Sequence, residues 1–576
     1  MADTSTPASL AFIGKQFGLP AAWLTGMMFP PYLLVQYKTG EWRDVILVLA
    51  AWAVFVLVYW LPVGALLFRW RGHWLSRLLA GYLISIPVYF LTLALVYPAF
   101  GYRFHPSSAS VWGTYFSATP TFYVLVLALY FLVRGGRTLA RVAQGLAGAV
   151  FVLSLAGTVV LWARTDKYTW PKAASERADI VHARVVDAAG GRILDGQDVL
   201  IEKGRIVSLV AAQADHSDWP RIDAGGGYLV PGLIDVHVHL QVPERSTRSG
   251  FEFSYFLNSI LGDYAPQRRA YLARGVTTIR SLGEPAAHIF ALRAAVAGHK
   301  LLGPRIFAVG RLVTSPNGHP VTTIWTPQIT RQGAILAASA EDVWSGLQKN
   351  YAAGPPDAVK IIYGTIHMAH ERLSRDLLKE AVRWSKERGM ISIVHIDTTQ
   401  EAADAVAAGA TGVEHVASIE SLPDTLVRDM VAHQTFADPT FGEFVTARTL
   451  AGAKPDEIAG ELAQRYGFIR RLDQAGVRLT VGTDAPLVAY GQGLQDELAH
   501  YAKAGFTAAQ ILRFVTVNNA AYLGQANELG QIGAGRRADL VLVRDNPLEN
   551  IGALGKPVWV MRDGQIVVHN SMESNR

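Results

Sequence analysis

Two histidines separated by one residue end an apolar segment of the sequence, PGLIDVHVHL at residues 231–240. Side chains two residues apart in a β-strand point to the same side, so His237 and His239 would project together. Neutral imidazole is a common protein ligand for zinc and related divalent ions. A His-x-His pair alone is a weak indication, because two ordinary polar residues give the same pattern. A metal site would need further ligands from other parts of the chain.

Four more residues with suitable chemistry lie in or at the end of short apolar segments. They are Lys360 in DAVKIIY, His395 in ISIVHI, His415 in TGVEHV and Asp484 in LTVGTDAP. Taken singly, each histidine could be a solvated strand end and the lysine could join an ion pair. In a barrel, however, the carboxyl ends of the strands form the active site, so the joint placement predicts one shared site.

An alternation of short apolar strands and longer helical patterns would position these residues. Strands are predicted near residues 233–239, 276–281, 305–311, 358–363, 391–396, 411–416, 434–440 and 478–484. Successive β-α units of this kind predict an α/β fold with a TIM barrel at residues 233–527. Short β-branched segments on both sides, at 179–232 and 528–570, predict one β-sandwich that is split in sequence. Within the first of these segments, residues 179–210 are expected to form a small antiparallel sheet.

Residues 1–165 differ in composition from the rest of the chain. Segments almost free of charge at 45–68, 78–100, 115–133 and 142–163 each approach the roughly 20 residues that a membrane-spanning helix needs. They predict an all-α transmembrane domain. The segment 18–37 carries three prolines, so it would cross with a kink, re-enter the membrane or lie in the interface.

Charge predicts the orientation of this domain. The loops RWRGHWLSR and RGGRTLAR are rich in arginine, whereas the loop between them has only Arg103. Positive loops face the cytoplasm, so the chain after residue 164 is expected on the periplasmic face of a bacterial-type inner membrane. The net charge of +6 includes these arginines. The sequence has no basic stripe with interleaved aromatic residues, so a nucleic-acid partner is not predicted. The chain has no cysteine, which excludes disulfides and thiolate catalysis.

The segment from about Asp179 to Asn570 resembles the amidohydrolase superfamily, in particular its imidazolonepropionase-related and prolidase-like metal-dependent hydrolases. The resemblance is carried, in the family's order, by PGLIDVHVHL, ARGVTTIRSLGE, GPRIFAVGRLVTSPNGH, VKIIY, VEHVAS, VGTDAP and LGQIGAGRRADLVLV. The membrane segment is not part of the family pattern.

The resemblance implies two divalent metal ions, with zinc the expected metal. It assigns one ion to His237, His239 and Asp484 and the other to His395 and His415, with a carboxylated Lys360 as the bridging ligand. It further implies hydrolysis by metal-activated hydroxide, since coordination lowers the pKa of water from about 15.7 toward 7. Asp484 would act as general base and then as general acid.

Three residues are candidates for contacting the substrate. His319 in PNGH matches a family histidine near the substrate, where it would stabilise the oxyanion, and the alternative is a solvated loop histidine. Tyr363 would hydrogen-bond the substrate or pack, and packing is favoured. Dipeptidase-like members have His-x-Tyr after strand five, where this chain reads VHID, and Asp397 would repel the carboxylate of a free dipeptide. Ser281 stands where strand two usually has an aspartate.

The predicted function is a membrane-anchored binuclear amidohydrolase that cleaves an amide or related C–N bond. An N-acyl amino acid or lipid-like amide is the expected substrate and the lipid bilayer the expected partner. The helices would admit an apolar substrate laterally, or would only anchor or oligomerise the protein, and a homo-oligomer is compatible with either. One alternative is a dipeptidase- or prolidase-like peptidase or a lactonase acting on a polar substrate. The other is a catalytically dead membrane sensor, which the filled ligand set disfavours.

Overall fold

The computed structural model describes residues 167–171, 175–212, 218–240, 263–323, 325, 327–365 and 371–570. The predicted transmembrane helices and the segment 18–37 lie outside these residues, so they remain predictions from the sequence. Within the described ranges, no helix has both the length and the apolar character that a membrane crossing requires.

The regular elements of the described residues alternate between strands and helices through most of the chain. The strands are β1 Arg177–Val181, β2 Arg184–Asp187, β3 Arg192–Leu194, β4 Gln197–Glu202, β5 Arg205–Ala211, β6 Arg221–Asp223, β7 Tyr228–Pro231, β8 Leu233–Val238, β9 Val276–Ser281, β10 Arg305–Ala308, β11 Leu312–Thr314, β12 Ala334–Leu336, β13 Ala358–Ile362, β14 Ile391–His395, β15 Gly412–Glu414, β16 Phe436–Asp438, β17 Arg478–Leu479, β18 Leu540–Val543, β19 Trp559–Arg562 and β20 Gln565–His569. The α-helices are α1 Ala265–Ala273, α2 Ala286–Ala297, α3 Pro327–Gly333, α4 Ala340–Ala353, α5 Arg375–Glu387, α6 Thr399–Ala407, α7 Asp424–Ala432, α8 Phe441–Leu450, α9 Pro455–Ala475, α10 Gln492–Lys503, α11 Ala508–Arg513 and α12 Asn519–Tyr522. Short 3-10 helices span Val416–Ser418 and Ile551–Gly555, and a π-helical turn spans Phe514–Asn518.

Two sheets at the ends of the described chain pack on one another. One sheet has the strand order β5-β4-β1-β6 and the other has the order β20-β19-β18-β7-β2-β3. The second sheet therefore joins strands from both ends of the sequence, with β18 antiparallel to β7. Buried side chains from both sheets, among them Ile180, Val199 and Trp559, share one hydrophobic core.

The strand pairs within residues 179–210 are antiparallel, as predicted, although they belong to two sheets, and parallel pairing begins with β6 and β7. Strand β1 pairs with β6 in parallel, and β2 pairs with β7 in parallel. Other strands intervene between the members of each pair, so no hairpin turn fixes their relative direction, and a crossover connection permits parallel pairing.

Parallel strands between these sheets form the barrel, which confirms the α/β class of fold. Strands β10, β9 and β8 make one sheet, and the order β12-β11-β13-β14-β15-β16-β17 makes the next. The chain after β17 closes the barrel against β8, because the Asp484 amide donates to the His237 carbonyl at 2.8 Å and the His239 amide donates to the Ala485 carbonyl at 2.6 Å. One hydrophobic cluster of the barrel includes Ile234 and Ile393.

The predicted third strand, 305–311, is shorter in the structure, and a strand that was not predicted follows it. Strand β10 ends at Ala308 and β11 begins at Leu312. Between them Gly310 has a φ of 67°, a conformation that glycine adopts without steric cost. The turn lets the Gly310 carbonyl accept a hydrogen bond from the Glu284 amide at 3.0 Å, so this glycine breaks the strand beside the site.

Candidate metal centre

The carboxyl ends of the barrel strands bring the predicted histidines together. Ring centroids lie 5.6 Å apart for His237 and His239, 4.8 Å for His237 and His415, and 4.3 Å for His395 and His415. His415 and Asp484 have φ values of 67° and 59°, which are uncommon for residues with a Cβ. Such strained positions cluster at functional sites, and here both belong to the predicted ligand set.

Three of these residues have the spacing of ligands around one cation. The Asp484 Oδ1 atom lies 3.3 Å from His237 Nε2 and 3.2 Å from His239 Nε2. A tetrahedral zinc ion with bonds of about 2.0–2.1 Å holds its ligand atoms about 3.3 Å apart. His237, His239 and Asp484 therefore form a potential metal site, and two imidazoles with one carboxylate suit a divalent ion such as zinc.

Electrostatics of this group follow from its burial. Burial would raise the pKa of the Asp484 carboxyl, but His237 and His239 hold it well below its usual range. Burial would lower the pKa of His239, yet hydrogen bonds to Asp484 and Glu284 raise it to about 9. Asp484 is therefore ionised at neutral pH and can act as an anionic ligand.

Glu414 forms a second group with His237 and Asp438, but its geometry is that of a hydrogen bond. Glu414 Oε2 lies 2.6 Å from His237 Nδ1, which is shorter than the spacing of about 3.3 Å between two ligands of one tetrahedral ion. Nδ1–H therefore donates to this carboxylate, and Nε2 remains available on the side of Asp484. Burial would raise the pKa of Glu414, but His237, Lys360 and Arg280 lower it well below its usual range.

A carboxylate lies near one ring nitrogen of each of the other three histidines of the predicted ligand set. The atom pairs are Glu284 Oε1 with His239 Nδ1 at 3.7 Å, Asp397 Oδ1 with His395 Nε2 at 3.4 Å, and Glu443 Oε2 with His415 Nδ1 at 3.6 Å. His415 Nδ1 also lies 2.8 Å from the Thr440 hydroxyl. These acidic side chains surround a site that would hold cations, and burial raises the pKa of the Glu443 carboxyl to about 8.

Lys360 lies fully buried on β13 beside these groups. Its Nζ atom has no hydrogen-bond partner among the described residues, and burial lowers the pKa of its ammonium group. A buried amine without a partner is costly unless another group completes its surroundings. The environment of Lys360 is therefore that of a functional group rather than of a structural ion pair.

The structure brings His319 to the predicted site and separates Tyr363 from it. The His319 ring stacks on His395 with centroids 5.3 Å apart, and its Nδ1 lies 2.7 Å from the Thr323 hydroxyl. Burial holds the pKa of His319 well below its usual value, so the ring is neutral. The hydroxyl of Tyr363 instead donates to the Asp404 carboxylate at 2.8 Å, which favours the packing interpretation.

Several residues of the centre were not predicted from the sequence. Glu284 after β9, Glu414 on β15 and Glu443 on α8 lie beside the predicted ligands His239, His237 and His415, respectively. Only Glu414 left a local signal, because it directly precedes His415 in VEHV. Neighbouring residues of a strand point to opposite faces, but His415 lies beyond the end of β15 in a left-handed conformation, and so both side chains reach His237.

Comparisons with known proteins identify relatives of this chain. An adenine deaminase from Chelativorans sp. (strain BNC1) is 26% identical over 414 residues, which cover 69% of this chain and 58% of that protein. The chain thus spans less than two thirds of the deaminase. An imidazolonepropionase from Anaeromyxobacter dehalogenans (strain 2CP-1 / ATCC BAA-258) is 24% identical over 422 residues, covering 65% of this chain and 91% of that protein.

A solved structure and a family pattern complete the comparison. The structure of a Xaa-Pro dipeptidase with bound methionine in the active site has the same fold, with a TM-score of 0.59 and 24% identity over 68% of this chain and 99% of that chain. The sequence pattern of the amidohydrolase family matches residues 228–567, which is more than half of the chain. The predicted superfamily is therefore confirmed, and this chain belongs to the amidohydrolase family of metal-dependent hydrolases.

Proposed function

We propose that this protein is a metal-dependent hydrolase that cleaves an amide or related C–N bond. The observation that carries the proposal is the position of Asp484 Oδ1, 3.2–3.3 Å from one nitrogen of both His237 and His239. A deaminase among the relatives supports chemistry at a C–N bond. Family membership supports the use of a divalent metal.

The donor atoms of the centre divide into two positions for metal ions. His237, His239 and Asp484 would hold the first ion, and His395 and His415 would hold the second. Lys360, whose buried Nζ lacks a hydrogen-bond partner in the described part of the chain, would bridge them as a carbamate with two anionic oxygens. When bound, a divalent ion polarises a carbonyl group and lowers the pKa of water.

The protein's own side chains would bind and move protons. Ionised Asp484 would accept a proton from the water molecule that attacks the carbonyl carbon of the scissile bond. It would then return this proton to the departing amine. Neutral His319 has Nδ1 at the Thr323 hydroxyl, so its Nε2 is the nitrogen that would donate to the developing oxyanion.

Acidic groups near the second position bear on the substrate class. Asp397 lies 3.4 Å from His395 and would repel a carboxylate placed beside that histidine, whereas burial raises the pKa of the Glu443 carboxyl to about 8. A lipid-like amide therefore ranks first and an N-acyl amino acid second. Residues 1–165 would form the transmembrane anchor, as their composition predicts, with the centre on the periplasmic side.

The test is hydrolysis of a panel of substrates by the purified full-length chain. The panel contains long- and short-chain N-acyl amides, N-acyl amino acids, dipeptides and lactones. We expect fastest cleavage of the long-chain amides, loss of activity with a chelator, and recovery with zinc. A preference for dipeptides or lactones would instead support a peptidase or lactonase on polar substrates. A protein that binds no metal and cleaves nothing would support the sensor.

A further inference from the structure

A buried network of side chains lies behind His237, outside the predicted ligand set. Glu414 connects it to the histidine: Oε2 lies 2.6 Å from His237 Nδ1, and Oε1 accepts from the Tyr522 hydroxyl at 2.8 Å and from Arg280 Nη2 at 3.2 Å. All four side chains are at most 1% exposed. The orientation of the carboxylate is thus fixed by protein donors.

Arg280 ties this network to the strand that carries His237. Its Nε atom donates to the carbonyl of Val236 at 2.8 Å, one residue before the histidine, and Nη1 donates to the Tyr522 carbonyl at 3.4 Å. The guanidinium carbon lies 4.0 Å from the centroid of the Tyr522 ring. The planar guanidinium therefore connects strands β8, β9 and β15 with helix α12, and its charge compensates that of Glu414.

Gly412 provides the space that the network needs. A Cβ atom at this position would overlap the Tyr522 hydroxyl, and the hydroxyl reaches Glu414 over the backbone of the same strand. A glycine is therefore required two residues before Glu414 for a reason that only the folded structure shows.

We propose that Tyr522 and Arg280 are positioning residues, which hold Glu414 and through it set the cation affinity of His237. This inference rests on the proposed function. An acceptor fixed at Nδ1 keeps the proton on that nitrogen and directs the lone pair of Nε2 toward Asp484. No hydrogen bond among the described residues joins this network to His395 or His415, so its effect falls on the first cation position.

Two tyrosines offer a matched test. The hydroxyls of Tyr522 and Tyr363 are both buried, and each donates to a carboxylate at 2.8 Å, but Tyr363 bonds to Asp404, whose other hydrogen-bond partners are Arg375 and Gln400. Zinc titrations against a chromophoric chelator would compare Tyr522→Phe with Tyr363→Phe in the full-length protein. We expect Tyr522→Phe to raise, by several-fold, the Kd of the more tightly bound zinc ion, which would occupy the first cation position. We expect Tyr363→Phe to leave the Kd values of both zinc ions unchanged.

Glu414→Gln is the second variant, and it replaces the acceptor itself. Loss of such a partner weakens metal binding by about 10- to 100-fold, so we expect a larger increase in the same Kd. Wild-type zinc affinities in both Tyr522→Phe and Glu414→Gln, with altered melting temperatures alone, would overturn the positioning role and leave the proposed function intact. A wild-type protein that binds no zinc would overturn the proposed function itself.

Discussion

The two halves of the candidate metal centre differ in how closely the protein positions their donor atoms. In the first half, Asp484 Oδ1 lies within 3.3 Å of one nitrogen from each of His237 and His239. A hydrogen bond of 2.6 Å from the opposite ring nitrogen to Glu414 holds His237 in place. Backbone hydrogen bonds between β8 and the chain after β17 also join the elements that carry these ligands.

The second half is held less closely. Asp484 lies beside both histidines of the first half, whereas His395 Nε2 in the second half has no hydrogen-bond partner in the described ranges. The carboxylates that face the His395 and His415 rings lie at 3.4 and 3.6 Å, beyond good hydrogen-bond distance, and the close contact of His415 Nδ1 is the Thr440 hydroxyl at 2.8 Å. The comparison indicates that the fold prepares the first cation position, whereas the second depends on a further ligand such as a carboxylated Lys360.

Lys360→Ala should have the largest effect, because it removes the residue that would connect the halves. We expect hydrolysis to fall to background and bound zinc to fall from two ions to one per chain, measured by initial rates and by elemental analysis. Lys379→Ala, on the exposed surface of α5, is the matched control. Turnover that survives in Lys360→Ala would contradict the bridging role.

Single ligand changes should then distinguish the halves. His239→Asn removes a donor of the first position, which we expect to bind zinc more tightly. We therefore expect loss of the tighter of the two zinc-binding events and of most of the activity. His395→Asn should remove only the weaker zinc-binding event, because the three donors of the first position remain. Isothermal titration with zinc measures both. Equal losses of the two events in both variants would show that the halves do not bind independently.

Carboxylates behind the ligands should have intermediate effects of unequal size. Glu414→Gln should weaken the first zinc by about 10- to 100-fold. Glu443→Gln should weaken the second by less, because Glu443 is 3.6 Å from His415 Nδ1 and the Thr440 hydroxyl is already within 2.8 Å of it. Zinc competition assays compare the two variants, and a larger effect at Glu443 would reverse the proposed order.

A change in an exposed ion pair should have the smallest effect, and it shows how the protein responds to a substitution away from the metal centre. Arg448 makes two hydrogen bonds to Glu461, at 2.7 and 2.8 Å, on partly exposed side chains. Exposed pairs contribute at most about 1 kcal/mol, so Arg448→Met should lower the free energy of unfolding by no more than that. Urea denaturation measures the change, and zinc affinity should equal that of the wild type. Altered zinc binding in Arg448→Met would show that the metal centre responds to substitutions far from its donor atoms.

The donors of both halves and the residues that support them differ in what the sequence could predict. The donors themselves were predicted, because alternation along a strand places His237 with His239 and because each remaining candidate lies in or near a predicted strand. Their partners were not, since Glu414 is 177 residues from His237 and no local pattern joins them. The break at Gly310 was missed because a single glycine in an apolar segment does not reveal its conformation. Local periodicity thus predicted the strands and the ligand types, while the supporting contacts depend on the closed barrel.

The most direct test is the position of zinc in crystals of the zinc-loaded full-length protein, located by anomalous scattering. We predict two zinc ions per chain, one bound by His237, His239 and Asp484 and the other by His395 and His415, with additional density on Lys360. A zinc-loaded crystal with no anomalous peak within bonding distance of His237 and Asp484 would contradict the account.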